Sequence, residues 1–169
     1  MEELIGLHAP CFDIRRPFIL GREVYDGYAF CTVTHSRYVL VEQAQLWKAC
    51  TFEHVFFKEM DVFTEDAQRG YERQIREQIE PELVRKGARY PPPDHMCTYI
   101  TGIFISRGGM SKERIRQIRR HRSRRDYRFS LRGYYESRLV VIDLAAGRIY
   151  GNRAAGPLVK RYRRLIQIS

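Results

Sequence analysis

The sequence has no long apolar run, no closely spaced cysteine pair and only 5 lysines against 25 arginines. Each shortage excludes something. A membrane helix needs about 18 or more consecutive apolar residues; none occurs, and the mean hydropathy is −0.47. No membrane partner is expected. Met1-Glu2-Glu3 is acidic and leads into no apolar h-region, so no secretory signal is expected and the protein is placed in the cytoplasm. Cys11, Cys31, Cys50 and Cys97 lie 20, 19 and 47 positions apart. That scatter predicts four reduced, largely buried thiols rather than a zinc knuckle or a disulfide framework. Three catalytic signatures are also missing: the Gly-x-Ser-x-Gly elbow, the Gly-x-x-x-x-Gly-Lys phosphate loop and the Glu-x-Lys of restriction-type nucleases. No cofactor, no metal and no catalytic residue is assigned from sequence.

What the chain does have is enough apolar material for a core and an uneven charge. It is 169 residues long and 44% hydrophobic, which suits one domain over residues 1–169. The formal net charge is +10. Residues 1–106 form an acidic front half, with 12 basic and 16 acidic side chains, whereas residues 107–169 carry 18 basic and 4 acidic. Residues 107–132 alone hold 11 basic side chains and 2 acidic. An excess this local focuses positive potential and points to an anionic partner.

Periodicity then orders the elements. Tyr28–Val33 and Tyr38–Val41 read as a hairpin around His35-Ser36-Arg37, and Thr51–Phe57 continues the meander. Thr64 is a helix N-cap, followed by Ala67, Tyr71, Ile75, Ile79 and Leu83 at a spacing of four. Pro81 falls inside that helix and is expected to kink or restart it, and Gly87 to end it. Met96–Ser106 is apolar on both faces and reads as a central strand. Ser111 caps a helix bearing Ile115 and Ile118. Tyr127–Glu136 alternates at period two, Leu139–Ile142 and Arg148–Tyr150 are short strands, and Pro157 opens a last helix. The order β-β-β-α-β-α-β-β-β-α predicts a single α+β domain, with a mixed sheet, antiparallel meanders and helices mainly on one face. Tyr99, Ile103, Ile105, Val140 and Ile142 are its expected buried centre.

Two stretches carry a resemblance. One is His95-Met96-Cys97-Thr98-Tyr99-Ile100-Thr101. The other is Arg138-Leu139-Val140-Val141-Ile142-Asp143-Leu144, with Gly147, Ile149-Tyr150 and Asn152-Arg153 after it. Together they resemble a group of small uncharacterised prokaryotic proteins of unknown function, over roughly the C-terminal half. The resemblance implies a compact cytoplasmic domain and no particular activity.

The strongest functional feature is the arginine run. Arg114, Arg116, Arg119, Arg120, Arg122, Arg124 and Arg125 crowd about three helical turns, and Arg128, Arg132 and Tyr134 extend them onto the next strand. Like charges three and four apart repel, so such a helix is easiest to explain with an anion against it. Arginine can clamp phosphate while an aromatic stacks a base. These ten residues are the predicted contact surface for nucleic acid, RNA or DNA. Two other readings stand beside it. A divalent-metal hydrolase or nuclease would use Glu42, Glu53 and Asp61, with Lys58 near, if the carboxylates converge. An interaction module would dock its basic face on an acidic protein surface, or on its own acidic half in a dimer. His54 and His95 are the candidate general bases.

Overall fold

The computed structural model describes residues 1–38 and 45–166. A seven-stranded mixed sheet is built from β1 (Asp13–Arg15), β4 (Gly27–Tyr38), β5 (Gln45–Met60), β6 (His95–Ser106), β7 (Arg124–Asp126), β8 (Tyr134–Asp143) and β9 (Arg148–Gly151). Its order is β1-β4-β5-β6-β8-β7, with β9 sharing the outer edge of β8. A separate hairpin joins β2 (Phe18–Leu20) to β3 (Glu23–Tyr25). β5, β6 and β8 run parallel, and the remaining pairs are antiparallel. The parallel pairs are the ones with long helical connections, as parallel strands require. On its outer side β4 meets β1 only from Tyr28 to Phe30.

α2 (Glu65–Gln74) opens where Thr64 Oγ1 accepts from Ala67 N at 3.2 Å, and α3 (Lys112–Arg120) where Ser111 Oγ accepts from Arg114 N at 3.1 Å. Both expected N-caps are present. The helix does not restart at Pro81. Ile75–Val84 continues as a π-helix through it. The apolar spacing explains why. On an α-helix, steps of four residues overshoot a full turn by about 40° each, so the stripe drifts sideways. A π-turn holds more than four residues and keeps Ile75, Ile79 and Leu83 in line. Ile75 and Ile79 are fully buried. Gly87 ends the segment, its N–H donating to Pro81 O at 2.9 Å.

Side chains alternate between the two faces of the sheet. Phe56, Ile100, Phe104, Leu139 and Val141 pack beneath α2, the π-helix and α3. Val55, Phe57, Ile103, Ile105, Val140 and Ile142 pack beneath α1 (Glu2–Gly6) and α4 (Gly156–Leu165). Most helical residues thus lie on one face. Of the five expected central residues, Ile103, Ile105, Val140 and Ile142 are buried. Tyr99 is half-buried, with the Arg138 guanidinium stacked 3.4 Å above its ring.

Two expected strands are placed differently. β4 runs straight through His35-Ser36-Arg37 to Tyr38, because β5 offers a backbone ladder over Ala49, Lys48 and Trp47; pairing overrides local propensity. Residues 39–41 of the expected second strand lie outside the described residues. Tyr127–Gly133 is a hairpin loop between β7 and β8, and the strand starts only at Tyr134. Arg128, Phe129 and Ser130 have φ of 50°, 53° and 66°. Gly133, at φ 72°, closes the loop where an added Cβ would lie 2.2 Å from Met96 O. Period two was present in the residue types, but Phe129 is 99% and Leu131 80% exposed.

Candidate functional site

β8 presents a single outer edge, and two short strands occupy only parts of it. β7 covers Tyr134–Glu136 and β9 covers Val140–Asp143. Asn152, 4% exposed, fills the gap. Its N–H donates to Leu139 O at 3.1 Å, and its Oδ1 accepts from Leu139 N at 3.0 Å. Its Nδ2 donates to Ser137 O at 3.0 Å and to His121 O at 3.1 Å. One side chain therefore ties the end of α3 to the sheet and, by accepting from Ala155 N at 3.1 Å, to the 3-10 turn Arg153–Ala155 before α4.

That junction brings together the C-terminus of α3, β9 and α4, and a groove runs between them. It comprises three adjoining hollows of about 480, 390 and 500 Å³, with Arg119 on the wall of all three. The first two are flanked by Arg148, Lys160, Arg163 and Arg164, and the third by Arg120, Arg122, Arg124 and Arg153. Nine cationic side chains thus line the groove, against one carboxylate, that of Glu136. Arg124 pairs with Asp126 at 3.1 Å, and Arg163 donates to Ile149 O at 2.7 Å. Among the described residues the other seven form no ion pair. Cations held together without counter-charges repel one another, and the arrangement can neutralise several phosphates at once.

The ten residues singled out from sequence divide. Arg119, Arg120, Arg122 and Arg124 line the groove, with Arg122 beyond the end of α3 and Arg124 on β7. Arg116 lies one turn earlier on the face of Arg119 and Arg120, lines none of the three hollows and pairs with Glu113 at 3.2 Å. Arg114 turns inward. It is 8% exposed, donates to Gln68 and Gln117, and lies 5.6 Å over the Phe63 ring; its Nε has no partner among the described residues. Burial lowers its pKa below that of an ordinary arginine, against the opposing pull of Glu65 and Glu72. Arg125 reaches Glu80 at 3.4 Å, and Arg128 lies 5.6 Å over the Tyr90 ring. The Arg132 carbonyl bonds to the His95 ring at 2.9 Å. Tyr134 is half-buried, and the Arg124 guanidinium already lies 3.9 Å over its ring. Reading the sequence missed Arg148, Arg153, Lys160, Arg163 and Arg164. Their charge was visible in the excess over 107–169, but only folding sets β9 and α4 beside Arg119.

The residues considered for catalysis do not assemble. Glu53 pairs with Arg138 at 3.1 Å and accepts from Thr101 Oγ1 at 3.1 Å. Asp61 lies eight residues further along, roughly 25 Å away at about 3.3 Å per residue, with its side chain 95% exposed. Glu42 lies outside the described residues. No group of three or more metal-binding side chains occurs among the described residues. Both nitrogens of His95 are engaged, with Arg132 O and with Thr98 Oγ1 at 2.8 Å. Glu72, His121 and Ser137 make a carboxylate–imidazole–hydroxyl chain, with contacts of 2.9 and 3.0 Å. The order is that of a hydrolase triad; Ser137 is 1% exposed, and it and His121 border the third hollow. Burial lowers the pKa of His121, with Glu72 opposing. The chain links α2, the end of α3 and β8. All four cysteines are free; Cys50 and Cys97 are buried as expected, and Cys11 is exposed.

The molecule is thus a mixed-sheet α+β protein with a basic groove along one sheet edge. By sequence it belongs to the family described as a domain of unknown function (DUF8052), whose family model matches residues 1–164. The match takes in the acidic front half as well as the C-terminal stretches that carried the resemblance. No curated protein and no solved structure matches the chain. No helix among the described residues is long and apolar enough to cross a membrane.

Proposed function

We propose that the protein binds nucleic acid through the groove between α3, β9 and α4. The observation that carries this reading is Arg119 at the junction of three hollows, amid seven cations without ion-pair partners among the described residues. The hairpin loop after β7 supports it. Phe129 and Leu131 are exposed three to five residues beyond Asp126, where the basic edge ends, and an exposed ring such as that of Phe129 is what unstacked bases pack on. The dispersal of Glu53 and Asp61 favours binding over metal-dependent cleavage.

The test is fluorescence anisotropy with labelled single-stranded RNA, single-stranded DNA and duplex across a salt series. Log affinity should fall linearly with log salt, with a slope of about −0.7 to −0.9 per neutralised phosphate. Changing Arg119 and Arg120 together to Ala should flatten the slope by about one to two. Both are exposed, so the melting temperature should hardly move. Arg116→Ala, one turn earlier on the same helix face but outside the three hollows and paired with Glu113, should change affinity and slope less than the double change does. Absence of measurable binding to all three nucleic acids at low salt refutes the reading.

A further inference from the structure

A second cavity, of about 350 Å³, lies on the opposite side of the sheet's centre from the basic groove, where β4 and β5 meet the end of the π-helix. Its walls are aromatic. Phe18 stacks on Tyr28 at 4.1 Å between centroids, and Phe30 stacks on Phe52 at 6.4 Å and lies 4.9 Å from His54. The volume falls within the range of small-ligand sites, about 300–1,000 Å³.

Two polar side chains lie among the rings, and the Lys86 ammonium lies 5.9 Å over the Phe52 ring. His54 is 4% exposed, and its Nδ1 is 2.6 Å from Tyr28 Oη. Burial pushes the Tyr28 phenol well above the ordinary tyrosine pKa, so it keeps its proton. That proton has one acceptor among the described residues, His54 Nδ1. The imidazole proton is then on Nε2, which no described residue accepts. Burial, with the Lys86 charge nearby, holds His54 down at about 4. It is a neutral hydrogen-bond donor in the cavity wall, not a charge.

Around the cavity stand Asp13 and Arg15 from β1, Glu82 from the π-helix and Lys86 just after it. Two are acids and two are bases, and none of the four forms an ion pair among the described residues. Lys86 has φ 53°, a left-handed backbone that a non-glycine residue adopts at a cost. π-helices themselves concentrate at functional sites.

We propose that this cavity binds a free aromatic amino acid. The ring lies among Phe18, Phe30 and Phe52, with a ring substituent accepting from His54 Nε2. The carboxylate faces Arg15 and Lys86, and the ammonium faces Asp13 and Glu82. Balanced, unpaired charges of both signs suit a zwitterion; a simple anion or cation would leave two of them opposed.

The experiment is a titration followed by ¹H–¹⁵N NMR with three probes. They are L-tyrosine, tyramine, which lacks the carboxylate, and 3-(4-hydroxyphenyl)propanoate, which lacks the ammonium. L-Tyrosine should give saturable shifts at Phe30, Phe52 and His54, with a Kd below about 1 mM. Each truncated probe should bind about tenfold or more weakly, because it leaves a charge-assisted contact unmade. Lys86→Gln, at an exposed position, should weaken L-tyrosine and should not weaken the cationic tyramine. Leu83→Trp, which fills the cavity from its rim, should abolish binding of all three. The proposal is overturned if L-tyrosine gives no saturable shifts, if either truncated probe matches it, or if Lys86→Gln weakens tyramine equally. Nucleic-acid binding does not enter the readout.

Discussion

Replacing Asn152 tests how the α3–β8–α4 junction is held. Asn152→Ala removes Oδ1 and Nδ2 and leaves three backbone groups without that partner: Leu139 N–H, Ser137 C=O and His121 C=O. Ala155 N–H keeps its bond to Asn152 O at 3.1 Å. Each stranded buried group costs about 1–3 kcal/mol. The groove alongside admits water to part of the space, so the sum should fall near the low end, about 3–4 kcal/mol. Asn152→Asp asks a sharper question. It keeps the acceptor for Leu139 N but turns a carboxylate oxygen onto two carbonyls. At pH 7 it should be at least as damaging as Ala. A protonated Asp can donate one of the two bonds, so its deficit against the wild type should narrow toward pH 4. Urea unfolding of the three proteins at both pH values measures this. A loss below about 1 kcal/mol for Asn152→Ala, or an Asp deficit that does not change with pH, refutes the account.

Two further outcomes follow from the core and from the buried histidines. Ile103→Ala truncates a fully buried residue under α1 and α4 and should cost about 2–5 kcal/mol by chemical denaturation; less than about 1 kcal/mol would mean that the sheet's centre lies elsewhere. Burial holds the imidazoles of His8 and His54 down at about 4, below the ordinary 6.5. Between those values the unfolded chain binds protons that the folded protein refuses, so stability is full above about 6.5 and is lost as pH falls toward 4. The melting temperature should decline over that window, and less steeply in His54→Leu; identical profiles for the variant and the wild type would contradict the assignment.

Much of the fold was legible because pattern and packing agree. The doubly apolar run at 96–106 is the central strand β6, flanked by β5 and β8. Thr64 and Ser111 cap the helices they were expected to cap. The strict spacing of four from Ala67 to Leu83 was visible, but its consequence, a π-helix passing through Pro81, was not. Alternation misled at Tyr127–Gly133, where residue type alone cannot reveal three consecutive left-handed conformations. For the candidate groove, charge excess pointed to the half of the chain whose cations line it. It could not show that Arg114 would bury itself, nor that α4 would set Arg163 and Arg164 beside Arg119. The aromatic cavity left no local signature, because its walls come from segments as distant as Phe18, Phe52 and Leu83.

The two outer margins of the sheet are finished differently. On the β8 side, β7, Asn152 and β9 together occupy the outer backbone of β8 from Tyr134 to Asp143. On the β4 side, β1 stops at Phe30, and among the described residues nothing pairs with the outer backbone of Cys31–Thr34. An unpaired edge is a template for another chain. The stretch Cys31–Thr34 is therefore a place where another strand can extend this sheet, in ordered dimerisation or in aggregation under stress. A lysine or proline placed at Val33, which is 47% exposed, would blunt that margin while leaving the arginine-lined one untouched.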